Sequence, residues 1–227
     1  MKVIIFDSST IINFAMNGIL PVLVKLRKSF PGKFIITKSV KYEVVDRPLQ
    51  IKKFELGALQ IKQLIDLSVL EMPESLGISQ QQLSQKTQEI INLTNHIFAS
   101  GERWMEIIHQ GEASCLALSL LAAEKNIQSM LAVDERTTRM LCEKPENLHQ
   151  LFESKMHTRI SYNPKNLSSL QKISIIRSAE LVYIAYKKDL VEVKNPLLLD
   201  ALLYGVKYKG CSISQEEIEE IEKLKSF

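Results

Sequence analysis

Residues 2–10 read Lys-Val-Ile-Ile-Phe-Asp-Ser-Ser-Thr. Lys2 to Phe6 is a short apolar run with three β-branched residues, the pattern of a buried strand, and Asp7 closes it. The same arrangement returns at Ile127 to Val133, a second apolar run closed by Asp134. Between them lie a helical stretch from Ile11 to Phe30 broken near Gly18 and Pro21, a turn at Pro31-Gly32, and a β-rich run from Lys33 to Thr37. Ser39 is placed to cap a helix carrying Tyr42, Glu43 and Val44. Residues 49–66 read as helix, and Val69 to Met72 as a short strand. Gly111 opens the clearest helix, in which Ala113, Leu116, Ala117, Leu120 and Leu121 keep a helical stripe, and Arg136 to Cys142 reads as another. Strand and helix therefore alternate through about residue 160. That alternation predicts an α/β fold, a three-layer α/β/α sandwich around a central parallel sheet.

Two segments stand outside this pattern. Ile78 to Ser100 is polar and rich in glutamine, with sparse apolar residues at Leu83, Ile90, Ile91 and Leu93. It reads as one long, half-exposed helix within a helical insertion at about 73–105. After residue 160 the chain reads as helical, so 1–160 is taken as the main domain and 161–227 as a mainly helical extension. Ser214 and Glu217 form a capping box for a last, acidic helix.

The chain has 227 residues, 45% of them hydrophobic and 24% charged, which excludes a wholly disordered protein. No apolar run approaches the roughly 18 residues of a membrane helix, and the N-terminal run is too short for a signal peptide. Cys115, Cys142 and Cys211 are far apart and make neither a disulfide framework nor a zinc knuckle. A cytoplasmic location is expected. Glycine-rich phosphate loops are absent, which argues against nucleotide-driven motors and dinucleotide enzymes. Phe6-Asp7-Ser8-Ser9 lacks the second aspartate that an aspartate-nucleophile phosphatase needs, because Ser9 stands there.

The acids carry the chemistry. Parallel sheets bind ligands beyond the carboxyl ends of their strands, where Asp7 and Asp134 stand. Glu43 follows the second strand and Glu112 sits in the first turn of the Gly111 helix. Four carboxylates in one cleft repel one another, and hard divalent cations such as Mg2+ or Mn2+ are the usual answer. Such ions activate water against a phosphodiester without a serine, cysteine or histidine nucleophile. Read singly, each acid is as well explained by a helix cap or a solvated helix face.

The blocks Val3-Ile4-Ile5-Phe6-Asp7-Ser8-Ser9-Thr10, Ser39-Val40-Lys41-Tyr42-Glu43-Val44, Gly111-Glu112-Ala113-Ser114 and Leu131-Ala132-Val133-Asp134-Glu135-Arg136, in this order, resemble the PIN-domain nucleases. The resemblance implies a metal-dependent endoribonuclease in which Asp7, Glu43, Glu112 and Asp134 form the catalytic acids. Asp7 and Asp134, with Glu112, would ligate the ion; Glu43 would complete the site or orient the attacking water. Ser9 or Thr10 matches the hydroxyl that steadies the first aspartate, and Glu135 stands where many members carry a second aspartate. Cleavage would leave a 5′-phosphate and a 3′-hydroxyl. Compact toxin-like members are much shorter than this chain, which favours an RNA-processing or quality-control role. A catalytically weak RNA-binding scaffold and the toxin of a toxin–antitoxin pair are the alternatives, and a homodimer or a protein regulator stays open.

The RNA partner finds a second support in the charge pattern. The net charge is only +3, but residues 155–209 hold ten Lys or Arg against four Asp or Glu, together with five of the six tyrosines. Lys187 and Lys188 are the expected RNA contacts there, and Lys38, Lys41 and Arg136 are the expected contacts beside the acids. Trp104 is expected to anchor in the core.

Overall fold

The computed structural model describes residues 1–164 and 167–224. The elements run β1 (Lys2–Phe6), α1 (Ser8–Met16), α2 (Leu20–Ser29), β2 (Lys33–Ile35), α3 (Lys38–Lys41), α4 (Glu55–Asp66), α5 (Gln80–Thr94), β3 (Phe98–Ser100), β4 (Arg103–Trp104) and α6 (Gln110–Glu124). They continue with β5 (Gln128–Ala132), α7 (Arg136–Glu143), α8 (Pro145–Met156), β6 (Ile160–Tyr162), β7 (Ser174–Ile176), α9 (Ser178–Lys187), α10 (Leu198–Tyr208) and α11 (Gln215–Lys223). Among the described residues, no helix is long and apolar enough to cross a membrane.

The fold is α/β, built on a four-stranded, all-parallel sheet in the order β2-β1-β5-β7. Ile4 faces Phe34 on one side and Met130 on the other, and Leu131 faces Ile175. Val3 to Phe6 are all buried, as a central strand of a parallel sheet requires. Because the four strands point the same way, Asp7, Thr37, Asp134 and Ser178 follow their carboxyl ends along one edge of the sheet.

The boundary expected at residue 160 does not hold. The fourth strand, β7, comes from the segment read as a helical extension, and Ile175 and Ile176 are its β-branched residues. Pairing with β7 covers the edge that β5 would otherwise leave unpaired. The glutamine-rich helix is also shorter than expected, spanning Gln80–Thr94. It packs on α6 through Leu83, Thr87, Ile90 and Thr94. Thr87 and Thr94 fit this buried stripe because their hydroxyls donate to the Leu83 and Ile90 carbonyls one turn back, at 2.7 and 2.8 Å.

Residues 98–104, expected to belong to the helical insertion, form a hairpin that joins β6 in a second, antiparallel sheet of order β4-β3-β6. Phe98 is its buried anchor, stacked on Tyr162. Trp104 is not a core anchor: it is 49% exposed and lies against His96. Val69 to Met72 contributes only an isolated bridge between Glu71 and Ile35.

Candidate functional site

Asp7 is set by the strand-to-helix turn that follows β1. Its backbone N–H donates to the Ala132 carbonyl at 2.9 Å, fixing it beside β5. Its extended backbone makes it the N-cap of α1, and its Oδ2 accepts from Ser9 N–H at 3.0 Å and Ser9 Oγ at 2.6 Å. Ser9 Oγ also accepts from the Asp134 N–H at 3.1 Å, so one hydroxyl links the two strand ends. Ser9 is thus the hydroxyl that steadies Asp7; the buried Thr10 hydroxyl bonds nothing among the described residues. The other Asp7 oxygen, Oδ1, is buried and has no hydrogen-bond partner among the described residues. Burial pushes the Asp7 carboxyl up to about 6; the Ser9 bonds oppose this, and the charges of Glu112 and Glu43 add to it.

Glu43 and Glu112 reach this cluster from two helices. The helix that carries Glu43 is capped by Thr37 rather than Ser39, through a bond from Val40 N–H to Thr37 Oγ1 at 3.2 Å. After Lys41 the chain widens into a π-turn over Tyr42–Asp46, closed by the Arg47 N–H on the Tyr42 carbonyl. Such turns recur at functional sites. Both Glu43 carboxylate oxygens lie against Gly111, where an added Cβ would sit 2.7 Å and 2.9 Å from them. Gly111 is therefore what admits Glu43. Glu112, one residue on, accepts from the His109 N–H at 2.8 Å and closes the N-terminal turn of α6. Thr37 and Ser114 bind the two helices together through a buried hydroxyl pair at 2.7 Å, and Ser114 Oγ donates to the Gly111 carbonyl at 2.6 Å.

Asp134 sits on the same edge in a different setting. Its Oδ1 accepts from Ser178 N–H at 2.7 Å; its Oδ2 accepts from Ser178 Oγ at 2.6 Å and Asn13 Nδ2 at 2.9 Å. Asp134 is 2% exposed, and both its carboxylate oxygens are committed to protein donors. Glu135 caps α7 by accepting from the Thr138 N–H at 2.7 Å, which accounts for its position without a bound ion.

The donor set suits a hard cation at Asp7: a buried carboxylate oxygen without a partner, held beside two further carboxylates. As they stand, no three His, Cys, Asp or Glu side chains among the described residues are gathered into a ligating group. Glu112 is turned to its capping bond, and Asp134 to Ser178 and Asn13.

The expected RNA contacts divide by position. Lys38 opens α3 and is exposed; Lys41 pairs with Asp46 at 3.1 Å; Arg136 is exposed at the start of α7. Lys187 and Lys188 end α9, whose first residue, Ser178, touches Asp134. At about 1.5 Å per residue they stand roughly 14 Å along the helix from that edge. The structure does not gather them with the acids.

Asn13, Thr37, Ser114 and Ser178 are the site residues that sequence reading missed. Ser114 lies in the Gly111-Glu112-Ala113-Ser114 motif, and Thr37 follows a strand at a position where a cap is expected. Asn13 and Ser178 carry no local signal, being 121 and 44 residues from the carboxylate they hold. A cleft of about 1030 Å³ opens at the opposite, amino ends of the strands, against Val3, Gln128 and Ser174. It is remote from the acids. No protein-family model, curated protein or solved structure matches this chain.

Proposed function

We propose that this chain is a metal-dependent endoribonuclease of the PIN type, with the sandwich architecture that type implies. The observation that carries the reading is the partnerless buried Oδ1 of Asp7 inside a cluster with Glu43 and Glu112 at the carboxyl edge of a parallel sheet. Asp7 would hold Mg2+ or Mn2+, and Glu43 and Glu112, whose charges act on it, would complete the site by turning from their present contacts toward the ion. When bound, the ion activates water and offsets the charge of the phosphate. Asp7 provides the fixed ligand, because Ser9 and the Ala132 carbonyl hold it in one orientation. Glu43, on a longer stem over Gly111, orients the attacking water. Asp134 positions: it draws Ser178 and Asn13 onto the strand ends, and its N–H sets the Ser9 hydroxyl.

The test is cleavage of labelled single-stranded RNA with Mg2+ or Mn2+ by wild type and by Asp7→Asn. Loss of activity in the variant, and 5′-phosphate products from wild type, are expected. Wild-type cleavage that persists in excess EDTA would overturn the metal. A second reading, an RNA-binding scaffold, is favoured by the commitment of Asp134 and Glu112 to protein donors. Absence of cleavage on varied RNAs in Mn2+ would select it.

A further inference from the structure

The rim beside Glu43 is aromatic and basic. Tyr42, immediately before Glu43, is 57% exposed, and Phe54, just before α4, is 49% exposed. The turn at Pro48–Gln50 and α4 both pack on the π-turn, and the 51–54 loop joins these two elements. Lys53 Nζ lies 5.3 Å from the centre of the Phe54 ring. Two cations here are neutralised: Lys41 by Asp46 at 3.1 Å and Lys52 by Glu55 at 3.0 Å. Lys38, Arg47 and Lys53 are exposed, and no carboxylate among the described residues pairs with them.

Large aromatic rings in water are costly unless something covers them, and unpaired cations between them specify a polyanion that also offers flat apolar faces. A single nucleic-acid strand meets both demands: its bases stack on aromatic rings and its phosphates take the cations. A folded duplex hides its bases, and a purely apolar protein partner would leave three cations facing it. The rim also supplies what the acids lack. A cluster of carboxylates repels RNA, so a strand needs positive charge next to Glu43 to approach it.

We propose that this rim is a stacking platform for single-stranded RNA, with Tyr42 and Phe54 each taking a base and Lys38, Arg47 and Lys53 taking phosphates. Its orientation toward Glu43 and Asp7 rests on the nuclease reading above; its binding of RNA does not. The experiment is fluorescence anisotropy with a labelled oligouridylate in EDTA, where cleavage does not interfere. Tyr42→Ala and Phe54→Ala should each weaken binding by about fivefold or more, the loss expected for one stacked base. Tyr42→Phe should stay within roughly twofold, because the ring does the stacking. Arg47→Ala and Lys53→Ala should each flatten the slope of log K against log salt by about 0.7. Leu67→Ala, also exposed and just past the far end of α4, is the control and should change nothing. Unchanged affinity and slope in folded Tyr42→Ala and Phe54→Ala would overturn the platform. So would variants that leave RNA binding intact but alter the sedimentation of the protein, which would assign the face to a protein contact. Wild type that binds through Tyr42 yet never cleaves with Mn2+ would retire the nuclease reading and keep the platform.

Discussion

Asp7 is held in a conflict that the fold creates and does not resolve. Its carboxyl is raised from an ordinary 3.8 to about 6, so the folded protein holds a proton that the unfolded chain has already lost between those values. Stability therefore falls as pH rises from about 4 to 6, and the loss persists above 6. A shift of this size corresponds to roughly 2–3 kcal/mol. Urea unfolding of metal-free protein should show that decline in wild type and not in Asp7→Asn. The variant should be the more stable of the two at pH 7. Adding Mg2+ should raise the wild-type melting temperature and leave that of Asp7→Asn nearly unchanged.

Asp134 and Glu135 are neighbours with unequal tasks. Asp134→Ala strands three buried donors, the Ser178 N–H, the Ser178 hydroxyl and the Asn13 amide. Each costs about 1–3 kcal/mol when unpaired, although Asn13 keeps a second acceptor in the Val206 carbonyl. Glu135→Ala loses one cap, worth about 1 kcal/mol. Urea midpoints should therefore rank Asp134→Ala well below Glu135→Ala, and cleavage rates should follow the same order. Equal losses of stability would show that the Ser178 and Asn13 bonds are not what Asp134 provides.

At the scale of elements, the site depends on how closely α3 and α6 approach. Gly111→Ala would place a methyl group 2.7 Å from Glu43 Oε1. The obstacle is the end of a flexible side chain, so the backbone need not move. Glu43 swings away, while alanine improves on glycine as a helix former. The expected outcome is a melting temperature equal to or above wild type, with cleavage reduced at least about tenfold. A variant that keeps full activity would show that Glu43 has no need of its place over Gly111. Thr37→Val tests the same contact from the other side. It removes the cap of α3 and the partner of Ser114, at a cost of about 1–2 kcal/mol in urea unfolding.

At the scale of the whole molecule, the sheet decides what can be removed. A fragment ending at residue 160 lacks β7, leaves the edge of β5 unpaired and strips Ser178 from Asp134. It should not show a cooperative unfolding transition, and it should aggregate at concentrations where the full chain is stable by light scattering. The C-terminal helix is tied in as well: Glu217 accepts from Arg177 at 2.8 Å and lies 3.7 Å from Arg139. A cooperative, monodisperse 1–160 fragment would show that the chain has two separable units.

The elements whose information is local are legible in the chain without its fold. Apolar runs closed by Asp7 and Asp134 specify strands and the residues at their ends, and Ser214 with Glu217 specifies the last helix, because these signals act within a few residues. The parallel α/β class follows from their alternation. That Ser174 to Ile176 completes the sheet is a matter of long-range contact, because a three-residue segment becomes a strand by finding β5 across a long stretch of chain. The same holds for the site. The four acids could be named from sequence, yet nothing local distinguishes Asp7, left with a partnerless oxygen, from Asp134, whose oxygens are met by Asn13 and Ser178. Whether a carboxylate is open to a ligand depends on which donors the fold brings to it, and those donors come from distant parts of the chain.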